Sequence, residues 1–210
     1  MRGRRVYKDQ TMNVQLRPAS LPLTTQAGDG LVRRRFSVAE VESMVAQGIL
    51  GEDERLELIG GELIPMSPKG MRHENLRTEL AFRMTRQVPA MIRVAAEAQF
   101  NLADDAYVVP DILVYPASKR VHSVRGPDAL LVVEIADSSL AYDLGTKAGL
   151  YAGYGIVEYW VINAQTLETR VHRTPSQSAY ADKYPVPAQG RLQPRAVPEI
   201  AVALADLDLH

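Results

Sequence analysis

Hydrophobic positions along this chain recur at two spacings, three-to-four and two, and the switches between them lay out the elements. From Phe36 onward the spacing is helical, with Ser37 and Glu40 forming a capping box ahead of Val41, Met44 and Val45. Leu56-Glu57-Leu58-Ile59 and Glu62-Leu63-Ile64-Pro65-Met66 then flank Gly60-Gly61, a pair that favours a tight hairpin and puts Glu62 at the start of a strand. Helical spacing returns from about Met71 to Gln87, with Leu76, Leu80, Ala81 and Met84 inward and Arg72, Arg77, Arg83 and Arg86 largely outward. Met91 to Leu102 reads as one strand and Asp104-Asp105 as a turn.

The second half is built from longer apolar runs. Val108-Val109-Pro110-Asp111-Ile112-Leu113-Val114-Tyr115 is interrupted by a proline that cannot donate to a ladder, so a bulge or strand end is expected where Asp111 emerges. After a turn at Gly126-Pro127-Asp128, Ala129 to Ala136 is almost unbroken apolar sequence, the pattern of a central strand covered on both faces. Ser138, Ser139 and Asp143 offer caps for a helix that Gly153 and Gly155 end, and Val157 to Asn163 is a further strand holding Trp160. Thr169 to Arg173, Tyr180 to Val186 and Ile200 to Leu207 read as later strands or a closing helix. Residues 1–31 have no periodicity and contain Arg2, Arg4, Arg5, Lys8, Pro18 and Pro22, which reads as a flexible basic arm before a single domain over 32–210.

Three charges break the apolar pattern. Lys147 falls on the stripe of Leu140, Leu144, Tyr151 and Tyr154, while Asp111 and Glu134 each sit alone in a hydrophobic strand. An ionised group taken out of water costs several kcal/mol, roughly, unless it is paired or metal-bound, so three such groups are expected to share one site. Consecutive strands followed by the next helix can bring them to one sheet edge. Two hard carboxylates with open positions select Mg²⁺ or Mn²⁺, and Lys147 beside them would orient a nucleophile or offset developing negative charge. Two readings of these residues stay open: a metal site, or a structural ion-pair network of Asp111, Glu134 and Lys147. His73, near the start of its helix, either approaches the site or caps the surface, and Asp143 either joins the site or holds Lys147 through an i,i+4 pair.

Composition narrows the classes. The 210 residues are 46% hydrophobic, enough for one well-packed core, and 24 basic against 25 acidic side chains leave a net charge of -1, so any contact with nucleic acid must come from a local patch. The absence of cysteine removes disulfides, thiolate zinc sites and cysteine nucleophiles, and suits a reducing cytoplasm. Four scattered histidines make no zinc motif, and no run reaches the ~18 apolar residues of a membrane span, so no membrane partner is expected.

The ordered series from about Phe36 to Leu207 resembles the Uma-two family of predicted endonucleases, within the PD-(D/E)xK restriction-endonuclease-like superfamily. The resemblance is carried by Leu56-Glu57-Leu58-Ile59-Gly60-Gly61-Glu62-Leu63, Met66-Ser67-Pro68 followed by His73, Val109-Pro110-Asp111, Leu131-Val132-Val133-Glu134-Ile135, and Asp143-Leu144-Gly145-Thr146-Lys147 through Leu150-Tyr151 to Glu158-Tyr159-Trp160. It implies an α/β fold with a mixed, curved sheet flanked by helices, Asp111 and Glu134 as magnesium ligands, Glu62 as a further acid of the site, and Lys147 as its lysine. The position two after Glu134 is Ala136, where the superfamily's short pattern has lysine, so the lysine has moved to the helix. The expected activity is Mg²⁺-dependent hydrolysis of DNA phosphodiester bonds through a metal-bound water. Its rivals are a catalytically silent DNA-binding module that keeps the fold, and a protein-interaction module working through the Trp160 region or the Gly-Gly hairpin. A homodimer is compatible with cutting both strands of a duplex, but no interface signature singles it out.

Overall fold

The computed structural model describes residues 34–209; the basic arm expected over 1–31 lies outside them. Helix α1 (Val38–Ala46) opens with the capping box that its sequence calls for: Ser37 Oγ accepts from the Glu40 amide at 3.2 Å, and the Ser37 amide donates to Glu40 Oε2 at 2.9 Å. Strands β1 (Leu56–Ile59) and β2 (Glu62–Pro65) close a hairpin with Ile59 opposite Glu62. Gly60 and Gly61 have φ of 59° and 81°, left-handed values that the two-residue turn needs, and a Cβ on Gly61 would run into Arg35.

Helix α2 spans Met71–Gln87, matching its sequence pattern, and buries Leu76, Leu80 and Met84. The single strand expected over Met91 to Leu102 is instead two strands in different sheets, β3 (Ile92–Ala96) and β4 (Phe100–Ala103). Ile92, Val94, Phe100 and Leu102 keep the same two-residue alternation across the break, so spacing alone could not mark it. What breaks the strand is Glu97, which takes a left-handed φ of 48° while its amide donates to the Asp111 carbonyl at 3.2 Å.

A second division occurs at Val109-Pro110-Asp111. It separates β5 (Ala106–Val108), which pairs with β1 and β4, from β6 (Ile112–Pro116), which pairs with β3 and β7 (Leu131–Ala136). The chain therefore forms a four-stranded antiparallel sheet in the order β2-β1-β5-β4, and, with β8 (Glu158–Asn163), β9 (Thr169–Pro175) and β10 (Tyr180–Val186), a six-stranded sheet in the order β10-β9-β8-β7-β6-β3. In the larger sheet only β7 and β8 run parallel, joined by the helical segment α3 (Leu140–Tyr142), a π-helical turn Asp143–Lys147, and α4 (Ala148–Gly153).

Alternation along β7 sorts the two faces of this sheet. Leu131, Val133 and Ile135 pack with Leu76, Leu80 and Met84 of α2, whereas Val132 and Ala136 pack with Ala148, Leu150 and Tyr151 of α4. The smaller sheet adds Ile59, Phe100, Leu102 and Val108 to the α4 side, and α1 covers its other side through Val38 and Val41 against Leu58 and Tyr107. β7 is consequently buried along its whole length, as its unbroken apolar run requires. Ile200 to Leu207, expected as a strand or helix, is only a bridge between Val202 and Leu192 followed by a 3₁₀ turn at Leu204–Asp206, with Ile200, Val202 and Leu204 closing the α2 side. Among the described residues no helix is long and apolar enough to cross a membrane.

Candidate active site

The break at Pro110 places Asp111 just before β6, beside the second half of β7, because Ile112 pairs with Val133 in the antiparallel register. Asp111 is 1% exposed, and its carboxylate is held from three directions. The Ile135 amide donates to Oδ2 at 2.7 Å, His73 Nε2 lies 3.1 Å from the same oxygen, and the Lys69 ammonium pairs with Oδ1. Burial alone would raise the Asp111 pKa, but the His73 hydrogen bond and the Lys69 charge outweigh it and bring it down to about 2. Asp111 is therefore an anion, so His73 donates from Nε2.

One residue before the Ile135 amide that Asp111 accepts from, Glu134 meets Lys147 from the helical side. Lys147 Nζ donates to Glu134 Oε1 at 2.9 Å and to Glu57 Oε1 at 3.0 Å, and the Tyr151 hydroxyl donates to Glu134 Oε1 at 2.7 Å. Glu57 also accepts from the Val109 amide at 3.1 Å. Burial pushes the Lys147 pKa down, yet the adjacent Glu134 and Glu57 carboxylates override it and hold the ammonium charged. One cation does not satisfy two buried acids equally. Burial, helped by the neighbouring charges of Asp111, Glu57 and Asp143 and opposed by Lys147, pushes Glu134 up to about 8. Both side-chain donors to Glu134 land on Oε1, so its other oxygen carries neither of them.

The π-helical turn Asp143–Lys147 buries the residues at both its ends. Such turns are rare and concentrate at functional sites. Asp143 is not joined to Lys147 by an ion pair; Ser139 Oγ donates to its Oδ2 at 2.6 Å, and burial, with the nearby acids, raises its pKa. Asp111, Glu134, Lys147, His73 and Asp143 all line one cleft of about 370 Å³, together with Glu57, Lys69, Asp137 and Tyr142.

Glu62 is outside it. The hairpin register sets Glu62 opposite Ile59, at the turn, and the acid that reaches the cleft from this hairpin is Glu57 of β1. Glu57 carries the same sequence signal as Asp111 and Glu134, a lone acid inside an apolar strand, and that signal would have found it. Lys69 had no such mark: it is a loop lysine whose role depends on the contact with Asp111. Trp160 itself offers no contact surface, since its indole is fully buried and donates to Glu158 Oε1 at 2.8 Å.

Among the described residues no group of three or more carboxylates and imidazoles is arranged to hold a metal ion unaided. The cleft does fit a hard divalent cation that keeps most of its waters, for which one or two carboxylates suffice. Five acids, Glu57, Asp111, Glu134, Asp137 and Asp143, face it against the ammonium groups of Lys69 and Lys147, and a cation already occupies Asp111 Oδ1. Asp111 and Glu134 could hold such an ion.

Comparison with known proteins gives the following. Residues 39–205 match the family model Uma2, described as "Putative restriction endonuclease". The chain is similar in structure to a crystal structure titled as a putative nuclease belonging to DUF820 from Anabaena variabilis, with a TM-score of 0.60 and 20% identity over 76% of this chain and 93% of that one. At that identity the likeness speaks for the fold, a restriction-endonuclease-like α/β arrangement. No curated protein matches.

Proposed function

Since the chain belongs to the Uma2 family of restriction-endonuclease-like proteins, we propose that it is a divalent-metal-dependent nuclease that hydrolyses phosphodiester bonds in DNA. The observation that carries this reading is the meeting of Asp111, Glu134 and Lys147 in one cleft, with Lys147 bonded to Glu134 and Asp111 bonded to the amide next to Glu134. Three separately buried charges in strands and helix would be costly, whereas together they make an acidic pocket with one fixed ammonium.

Asp111 and Glu134 would hold Mg²⁺ or Mn²⁺, which supplies charge neutralisation at the phosphodiester and a lowered pKa for water. The protein's own groups do the rest. Ile135 and His73 fix the Asp111 carboxylate, and Tyr151 fixes that of Glu134, so neither acid has to reorganise when substrate arrives. Lys147, held protonated by Glu134 and Glu57, keeps a positive charge at the cleft wall where negative charge grows on the phosphate oxygens during hydrolysis.

The test is incubation of purified protein with plasmid, linear and branched DNA in Mg²⁺ or Mn²⁺, beside an Asp111→Asn control. Cleavage by the wild type that falls by roughly a hundredfold or more in the variant supports the proposal; equal cleavage by both refutes it. A second reading, a silent module that keeps the fold, is favoured by one observation: Lys147 is already paired with both Glu57 and Glu134. Calorimetry separates the two, because a silent module binds no Mn²⁺.

A further inference from the structure

The loop between β2 and α2 carries the second ammonium of the cleft. Lys69, 12% exposed at its side chain, divides its charge between Asp111 Oδ1 and Glu97 Oε1, the latter at 3.0 Å. The two acceptors differ in what else holds them. Glu97 is also paired with Arg55 and Arg77, while Asp111 has His73 and the Ile135 amide. Lys69 therefore bridges a carboxylate well supplied with cations and one whose only lysine or arginine partner, among the described residues, is Lys69 itself.

We propose that Lys69 is a phosphate-positioning residue for the substrate, held on Asp111 until a divalent cation takes that oxygen. The proposal rests on the reading of Asp111 and Glu134 as metal ligands. An ammonium and a divalent ion compete for Oδ1, because two cations a few ångströms apart repel and the doubly charged one is held harder by the same oxygen. Glu97 gives Lys69 a second acceptor, so its displacement does not strand a buried charge. The residue stays at the cleft through its backbone between Pro68 and Gly70, both of which line it. An arriving phosphodiester then offers the freed ammonium an anionic partner. Lys147 cannot do this, being enclosed by Glu57 and Glu134 with its side chain 7% exposed. The two lysines thus divide the work: Lys147 is fixed, and Lys69 changes partner.

The experiment uses the full chain with Lys69→Met and Lys69→Arg, each checked for native circular dichroism. Mn²⁺ affinity is measured by calorimetry, and affinity for a short fluorescent DNA duplex by anisotropy in Ca²⁺. Removing the competing ammonium should tighten Mn²⁺ binding by about tenfold, the worth of one charge-assisted hydrogen bond, while DNA binding weakens by a similar factor. Lys69→Arg should restore DNA affinity and return Mn²⁺ affinity towards the wild-type value. A merely structural lysine would move both affinities down or neither, and any pattern other than opposite shifts in Lys69→Met overturns the proposal. If the wild type binds no Mn²⁺, the metal reading of Asp111 and Glu134 itself falls; if wild type and Lys69→Met bind Mn²⁺ equally, only the role of Lys69 does.

Discussion

Lys147→Met removes the ammonium from between two buried carboxylates while keeping most of the stem's volume. The side chains of Lys147, Glu57 and Glu134 are 7%, 4% and 7% exposed, so solvent cannot replace the lost charge. Breaking a buried pair by deleting one partner costs about 3–5 kcal/mol, and here one deletion strips two acids. Two features hold the loss to the lower end of that range. Glu134 has its pKa pushed up to about 8 even beside Lys147 and higher without it, so it stays neutral in the variant, and Glu57 keeps the Val109 amide. We expect a loss of about 3 kcal/mol at neutral pH, or roughly 6–12 °C in Tm for a domain of this size. Urea unfolding followed by the fluorescence of Trp160, the sole tryptophan and fully buried, reads it directly. The pH dependence has a definite sign. Without Lys147, whose charge lowers it, the folded-state pKa of Glu134 lies still further above its unfolded value of 4.5, so protonation favours the folded variant. Its deficit against wild type is steady from 4.5 up to 8 and widens as pH rises above 8, where wild-type Glu134 ionises and the variant's still holds its proton. A variant within about 0.5 kcal/mol of wild type, or a deficit indifferent to pH, would refute the reasoning.

Asp111, lowered from 3.8 to about 2, contributes stability that is present above pH 3.8 and is lost as pH falls to 2, amounting to about 2 kcal/mol. Asp111→Asn should flatten that part of the acid unfolding curve, and parallel curves for the two proteins would count against the His73 and Lys69 contacts. Glu57→Gln should destabilise by about 2 kcal/mol through loss of the charged contacts to Lys147 and the Val109 amide, whereas Glu62→Gln should stay within about 0.5 kcal/mol in the same urea titration; the reverse ranking would return Glu62 to the site. Gly126→Ala should lower stability by about 1–3 kcal/mol in a thermal melt, since its Cβ would press into the Tyr154 carbonyl oxygen. A neutral outcome there would mean that the backbone at Tyr154 yields easily.

The elements that depend on local chemistry were legible. The Ser37 and Glu40 capping box, the Gly60-Gly61 turn, the span of α2 and the full burial of β7 all follow from residues within a few positions of one another. The strand end at Pro110 was legible from a residue that cannot donate to a ladder, but the break at Glu97 was not, because the alternation of side chains continues there while the backbone changes partner. For the site, lone charges in apolar strands pointed to Asp111 and Glu134, and the helical stripe pointed to Lys147. The same rule covers Glu57, but the hairpin drew attention to Glu62 at its tip, and a register in which Glu57 faces inward is fixed only by pairing with β5. Lys69 and Glu97 owe their place entirely to contacts across 42 and 28 positions, which no spacing rule reaches.

The packing of α4 on β7 links Ala136 to Lys147. Along β7, Val132, Glu134 and Ala136 share the face that α4 covers, so a residue at 136 points into the cluster of Ala148, Leu150 and Tyr151. Ala136 is fully buried there, and a lysine in its place would have to push a four-carbon stem through that packing. The small side chain instead lets the helical segment lie close to the strand. From that segment, at the end of the π-helical turn, Lys147 comes down on Glu134, and one helical step later Tyr151 reaches the same oxygen. Alanine on the strand and lysine on the helix are two halves of one packing solution: it delivers an ammonium to Glu134 without opening the core, and ties the charge state of the cleft to the docking of α4.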